Sequence, residues 1–240
     1  MSSTMKEPQL VVPDWVNETT IGKWFLATGI WVRYVLTEAI TTCQAIAGDR
    51  VTGVNRLMDI GCGQGLAFPL LTQSFQPKTI IGVDIDERLV RRASAATAQC
   101  TCAVQVKQGS VTCLDMPDGS VDMIFCHQLI HHVANQENAL KELYRVLAPG
   151  GWFLMCESCE SFIHSWPVRT FFRHPDGVQK SAEGYLELLR SIGFEFSDRD
   201  VRTSAPWWSL PDLGLRRKFG LTSQEPIATE LVVVARKEGL

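Results

Sequence analysis

The stretch Leu57-Met58-Asp59-Ile60-Gly61-Cys62-Gly63-Gln64-Gly65 limits what this chain can fold into more than any other. An apolar run carrying one acid leads into three glycines at alternating positions. Such a run reads as a buried strand with a sharp turn at its end, because glycine takes positive φ and has no Cβ to hold a ligand away from the backbone N–H groups. Leu66 to Phe75 is compatible with a helix, Pro69 being tolerated in the first turn, so the loop is expected to open onto a helix N-terminus that suits a nucleotide-type cofactor. A tight connection without a ligand is the plain alternative, and the motif alone leaves both open.

Beyond this stretch the chain alternates. Strands are expected at Arg56–Ile60, Thr79–Asp84, Ala103–Lys107, Val121–Cys126 and Gly150–Glu157, with helices over Asp86–Ala98 and Gln136–Leu147. Thr79–Asp84 is continuously apolar and β-branched, the mark of a strand buried on both faces of a parallel sheet. Alternation of this kind gives right-handed βαβ units, an α/β doubly wound Rossmann-like sheet, and a ligand site beyond the carboxyl ends of the strands. Ser181 reads as the N-cap of a helix closed by Gly193, and strands are expected at Phe194–Val201 and Thr229–Ala235. Between them Ser204–Pro226 has no regular period. Thr20–Ala47 has apolar residues at helical spacing and a break at Gly29, which predicts an N-terminal helical cap. The expected organisation is a frayed tail at 1–12 and one domain over 13–240. Within that domain, 13–50 is the cap, 51–160 the cofactor-binding core, and 161–240 the acceptor side with the C-terminal strands.

Composition removes several classes of function. A net charge of −3 and a pI near 6.0 provide no basic field for a phosphate backbone, so nucleic acid is not the expected partner and a small molecule is. No run approaches the roughly 18 apolar residues of a membrane span, and the start lacks a secretory pattern, which points to the cytoplasm. Cys62, Cys126 and Cys156 fall in or beside strand-like runs, where a free thiol behaves as a small hydrophobe. Cys156-x-x-Cys159 has no second such pair and Cys100-x-Cys102 has the wrong spacing, so no metal is expected. Oligomeric state is not legible.

Four ordered motifs together resemble class I S-adenosylmethionine (SAM)-dependent methyltransferases. They are Leu57–Gly65, Gly82-Val83-Asp84-Ile85-Asp86, Met116–Asp122 and Leu143–Gly151. The resemblance is greatest to the small-molecule branch that includes quinone and sterol methylating enzymes. It implies seven strands, with the last antiparallel and inserted beside the sixth. It also implies that Asp59 and the backbone at Gly61, Cys62 and Gly63 hold the amino-acid end of SAM, with Gly65 in the same loop. Ile85 would pack on adenine, and the Cys126-His127 backbone would lie near the sulfonium. The family often carries Asp after the glycine matched by Gly109; here that residue is Ser110, a shorter, neutral acceptor for the adenine amino group.

Asp84 can be argued without the family. A carboxylate ending the second strand, about 20 residues past a glycine loop, is placed to accept from both ribose hydroxyls. A nicotinamide-dependent enzyme would share that acid but would normally have glycine where Leu66 stands, so a cofactor without pyrophosphate is favoured. A non-catalytic module of the same fold is the third class, and intact Gly61, Gly63, Gly65 and Asp84 count against a decayed site.

His127, at the end of the fourth strand, is the candidate general base, since a neutral imidazole can take a hydroxyl proton near pH 7. The resemblance places His131 and His132 in a Leu-x-His-His-like stretch with structural roles. Trp24, Trp31, Tyr34, Trp166, Trp207 and Trp208 have no place in the alternating pattern. They are expected either to wall a pocket for a hydrophobic or aromatic acceptor or to pack as core.

Overall fold

The computed structural model describes residues 19–51, 53–175, 177–210, 212, 215–221 and 225–239; the expected tail at 1–12 lies outside them. One sheet organises these residues. Its strands are β1 (Arg56–Ile60), β2 (Thr79–Asp84), β3 (Ala103–Gln108), β4 (Val121–His127), β5 (Leu147–Ser158), β6 (Phe194–Glu195), β7 (Val201–Ser204) and β8 (Glu230–Lys237). The order is β3-β2-β1-β4-β5-β8-β6, with β7 also paired to β8. β1 to β5 run parallel, and β8 runs antiparallel to β5, β6 and β7. The order reverses between β1 and β4, where Ile60 lies beside Cys126, so the switch point falls at the start of the glycine loop.

The helices are α1 (Thr20–Leu26), α2 (Gly29–Trp31), α3 (Thr37–Ala47), α4 (Phe68–Phe75), α5 (Glu87–Ala96), α6 (Gln136–Val146), α7 (Glu160–Ile163), α8 (Trp166–Phe171), α9 (Ala182–Ile192) and α10 (Leu215–Lys218). Alternation along β1 sends Met58 and Ile60 to one face, where they meet Leu140, Leu143, Tyr185 and Leu189 of α6 and α9. Leu57 goes to the other face, with Phe68 and Leu71 of α4 and Ile40 and Cys43 of α3. Side chains such as Phe68, fully buried, each contribute about 1.5–3 kcal/mol relative to exposure.

Four expectations change. The segment 13–50 is not a cap throughout: Ala39, Ile40, Cys43, Ile46 and Ala47 are buried on one stripe of α3, and Cys43 Sγ lies 3.4 Å from Cys156 Sγ of β5, so α3 is part of the layer covering the sheet. β5 begins at Leu147, which pairs with Val121 before a register shift, so α6 ends one residue early and the Pro149-Gly150 turn lies inside the strand. The expected strand Phe194–Val201 is broken. Asp200 accepts from both the N–H and the hydroxyl of Ser197, and this capping box folds Asp198–Asp200 into a 3-10 turn that separates β6 from β7, which raises the strand count to eight. Ser204–Pro226, expected to be irregular, carries a 3-10 turn at Trp207–Ser209 and α10.

Candidate active site

Acidic residues stand at or near the carboxyl ends of β1, β2 and β5, namely Asp59, Asp84 and Glu157. Each serves a different purpose. Gly61 and Cys62 both donate N–H to the carbonyl of Val83, at 2.8 and 3.1 Å, which pins the glycine loop to β2. Gly63 donates to Asp84 Oδ2 and Asp86 donates to Asp84 Oδ1, both at 2.9 Å. Gly109 N–H donates to the Asp84 carbonyl at 3.0 Å, so the loops after β1, β2 and β3 are laced together around this residue. Gly61, Gly63 and Gly65 all have positive φ, as the sequence requires. Gly65 has a second reason to be glycine: a Cβ there would come within 2.6 Å of the Phe68 ring, and so would one at Gly82. The loop therefore closes over a buried phenyl ring, and α4 begins at Phe68 rather than Leu66.

Burial pushes the Asp59 carboxyl up to about 8, and the negative charge of Asp84 adds to the effect. Its Oδ2 has no hydrogen-bond partner among the described residues. Burial also raises Asp84, but the N–H groups of Asp86 and Gly63 restrain the shift. The Cys62 and Cys126 side chains are buried and burial raises both thiols, so these positions can offer backbone rather than thiolate to a ligand.

A narrow cleft of about 60 Å³ runs along these strand ends, lined by Gly61, Asp84, Ile85, Ser110, Leu129 and His132 among others. It gathers four of the sequence-selected cofactor residues into one place. Leu129 lies against Gly61, where a Cβ would meet its Cδ1 at 3.0 Å. The cleft is well short of the roughly 300 Å³ at the low end for ligand pockets, so Leu129 has to swing aside for a nucleoside. A wider hollow of about 550 Å³ lies between Arg50, Trp152, Asp200 and Arg236. Trp152 pairs with Arg236 and lies beside Met123 near the start of β4, the wrong end of the sheet for a doubly wound ligand site, and the guanidinium groups of Arg50 and Arg236 stack on its ring.

His127 is buried, stacked on Phe125 and edge-on to Trp31 at 5.3 Å. Burial, with a smaller contribution from the neighbouring His131, lowers it to about 3. This corrects the reasoning for a base active near pH 7: the ring is neutral but weakly basic, and it does not line the cleft. Trp31 is the aromatic that the fold brings to a strand end. Trp24, Tyr34, Trp166 and Trp207 are between 60% and 69% exposed, so core packing does not account for them. Trp208 packs edge-on against Phe162. Phe25 meets Phe172, and Thr19 donates to the Phe171 carbonyl, so the N-terminal helix joins the segment that follows α8.

Leu129 and Glu157 were not selected from the sequence, and His132 was given a structural role. Glu157 is buried; its Oε1 accepts from the N–H groups of Leu129 and Ile130, and its Oε2 pairs with His131 Nδ1 at 2.5 Å, which fixes the turn after β4. An acid ending an apolar strand, as at Asp59 and Asp84, was the available signal.

Residues 58–155, from the middle of β1 through most of β5, match the methyltransferase domain family. Over those residues the chain is similar to class I SAM-dependent methyltransferases. Among relatives of this chain, a probable S-adenosylmethionine-dependent methyltransferase of Mycolicibacterium smegmatis is 32% identical over 143 residues, covering 59% of this chain and 52% of the relative. The uncharacterized methyltransferase YcgJ of Bacillus subtilis is 36% identical over 168 residues, 65% of this chain and 61% of the relative. Its solved structure superposes with a TM-score of 0.60 at 20% identity, over 85% of this chain and 99% of that one. Phosphoethanolamine N-methyltransferase 1 of Zea mays is 24% identical, over 78% of this chain and 36% of the relative. The chain spans about half the length of the first curated relatives it matches.

The family that this chain resembles uses SAM, and the residues present suit that cofactor. Asp59 Oδ2, a buried acceptor without a partner among the described residues, suits a donor such as an ammonium group. Each oxygen of Asp84 already accepts one N–H and keeps a lone pair for a ribose hydroxyl. Among the described residues, no helix is long and apolar enough to cross a membrane.

Proposed function

We propose that this chain transfers a methyl group from SAM to a small acceptor whose reacting part is carried on an apolar or aromatic body, as in quinone and sterol methylating enzymes. One observation supports the cofactor half above all: Asp84 is tied to Gly63 at the edge of a cleft that also holds Ile85 and Ser110. In this reading Asp59 takes the amino group, Asp84 the ribose hydroxyls, Ile85 packs on adenine, and Ser110 accepts from the adenine amino group. Bound SAM supplies an electrophilic methyl on a sulfonium. The chain's own work is to orient the acceptor and exclude water, and orientation alone can be worth roughly 7–11 kcal/mol. A general base is therefore optional, which suits a His127 of low basicity. Trp31 and the exposed Trp24, Tyr34, Trp166 and Trp207 support an aromatic acceptor wall that completes itself when an acceptor binds. The eight free thiols suit a reducing cytoplasm.

A polar amine is the second acceptor reading, carried by the similarity to the maize phosphoethanolamine N-methyltransferase. The test is calorimetric titration of the full chain with SAM and with NAD, followed by a screen of cell extracts for transfer of a labelled methyl group. SAM should bind at one site and NAD should not, and label should appear in an organic-extractable product. NAD binding without SAM binding overturns the reading; a water-soluble amine product keeps the cofactor and replaces the acceptor class. SAM binding with no labelled product from any extract favours the non-catalytic module.

A further inference from the structure

His131, His132 and His174 converge although the last is distant in sequence. Their candidate ligand atoms all lie within 4.8 Å of one another, His131 being buried and the other two half-buried. Ring centroids are 4.3 Å apart for His131 and His132, 4.8 Å for His132 and His174, and 5.2 Å for His131 and His174. We propose that these three histidines form a binding site for a divalent first-row transition ion of the Zn²⁺ class.

The surroundings are built for ligation. Glu157 Oε2 engages His131 Nδ1, which leaves Nε2 of that ring as the nitrogen for an ion, the carboxylate–histidine arrangement that orients metal ligands and raises their basicity. Gln179 donates Nε2–H to the carbonyls of Pro175 and His131, at 2.6 and 3.3 Å, and so clamps the loop carrying His174 onto the turn carrying the other two. Three imidazoles with no carboxylate among them match Zn²⁺, Co²⁺ or Ni²⁺ rather than Mg²⁺ or Ca²⁺. With metal–nitrogen bonds of about 2.0–2.1 Å, tetrahedral ligand nitrogens stand roughly 3.3 Å apart. Closing from a spread of at most 4.8 Å is a movement of roughly 1.5 Å, within reach of a ring rotation at His174. His132 also lines the cofactor cleft, so the cluster adjoins that cleft.

The test uses the full chain after treatment with a chelator, titrated with Co²⁺ by visible absorption and with Zn²⁺ by calorimetry. We expect one equivalent of Co²⁺, with the d–d bands of a four- or five-coordinate site and displacement by Zn²⁺. His174→Ala should weaken binding at least tenfold and abolish the rise in melting temperature caused by Zn²⁺. His164→Ala, a change at a histidine near His174 but outside the cluster, should change neither. If His174→Ala fails to fold, His174→Gln retains the bulk and carries the comparison. No saturable uptake, equal uptake by the His174 variant, equal loss in His164→Ala, or a thiolate charge-transfer band from the cysteines would each overturn the site. SAM titrated into the same metal-free samples separates the two readings: SAM binding without Co²⁺ binding defeats only the metal site, and the reverse leaves it standing.

Discussion

Gly63 donates its backbone N–H to Oδ2 of Asp84 at 2.9 Å, so the carboxylate that would hold a ribose also holds the glycine loop in place. Asp84→Ala should therefore weaken SAM binding by roughly 2–4 kcal/mol, about 30- to 1,000-fold, through the lost hydroxyl contacts and a loosened loop. Asp84→Asn keeps an acceptor for Gly63 and should lose less. Calorimetry on the two variants measures both effects. Unchanged affinity in folded Asp84→Ala protein would remove this residue from the ribose role.

Gly65→Ala tests the packing beneath the loop. A methyl group there meets Phe68 Cε2 at 2.6 Å and Ala93 Cα at 3.2 Å, at a φ of +77°. A left-handed conformation costs about 1–2 kcal/mol and overpacking about 1–3 kcal/mol, so a loss of roughly 2–5 kcal/mol is expected. Thermal unfolding should show a fall of roughly 5–15 °C. A fall of under about 1 °C would mean that the loop has slack which the packing around Phe68 does not suggest.

Asp59 makes a pH-dependent prediction. Its carboxyl titrates near 8 in the folded chain against about 3.9 when unfolded, so the stability it contributes is present below the lower value and lost as pH rises through the higher one. Asp59→Asn should therefore raise the melting temperature of ligand-free protein more at pH 8.5 than at pH 5, while weakening SAM. A cationic ligand favours the ionised carboxyl, so SAM binding to the natural chain near pH 7 should release close to one proton and tighten as pH rises toward 8. Calorimetry in buffers of different ionisation enthalpy counts that proton. Equal heats in all buffers would show that Asp59 does not titrate on binding.

The aromatic wall is tested by Trp31→Ala and Trp207→Ala. Trp207 is exposed, so its loss should shift stability by about 0.5 kcal/mol or less. Trp31 is half-buried beside His127, and its loss should cost roughly 1–3 kcal/mol. Both variants should keep SAM affinity and lose turnover of the acceptor found by the labelling screen. Full turnover in both would move the acceptor site away from these residues.

Local chemistry made much of this protein legible in its sequence. Arg56–Ile60 and Thr79–Asp84 stand at the expected bounds, and so does the helix between Ser181 and Gly193, because continuous apolar runs, caps and positive-φ glycines are properties of neighbouring residues. Asp84, Ile85 and Ser110 could be selected for the same reason: each follows a strand end at a fixed offset. What depended on distant partners could not be read. The apolar stripe of Thr37–Ala47 does not say which surface it covers, and only packing against β5 shows that it covers the sheet. The basicity of His127 and the free oxygen of Asp59 are set by burial under other segments. The convergence of His174 with His131 and His132 needs Glu157 and Gln179 to hold two loops together. The sequence by itself determined the alternating strands, the glycine turn and the acid at the end of β2, since these follow from backbone preference and local periodicity. Only the tertiary structure decided which groups lose water and which side chains meet, because desolvation and contact are properties of elements that the sequence keeps apart.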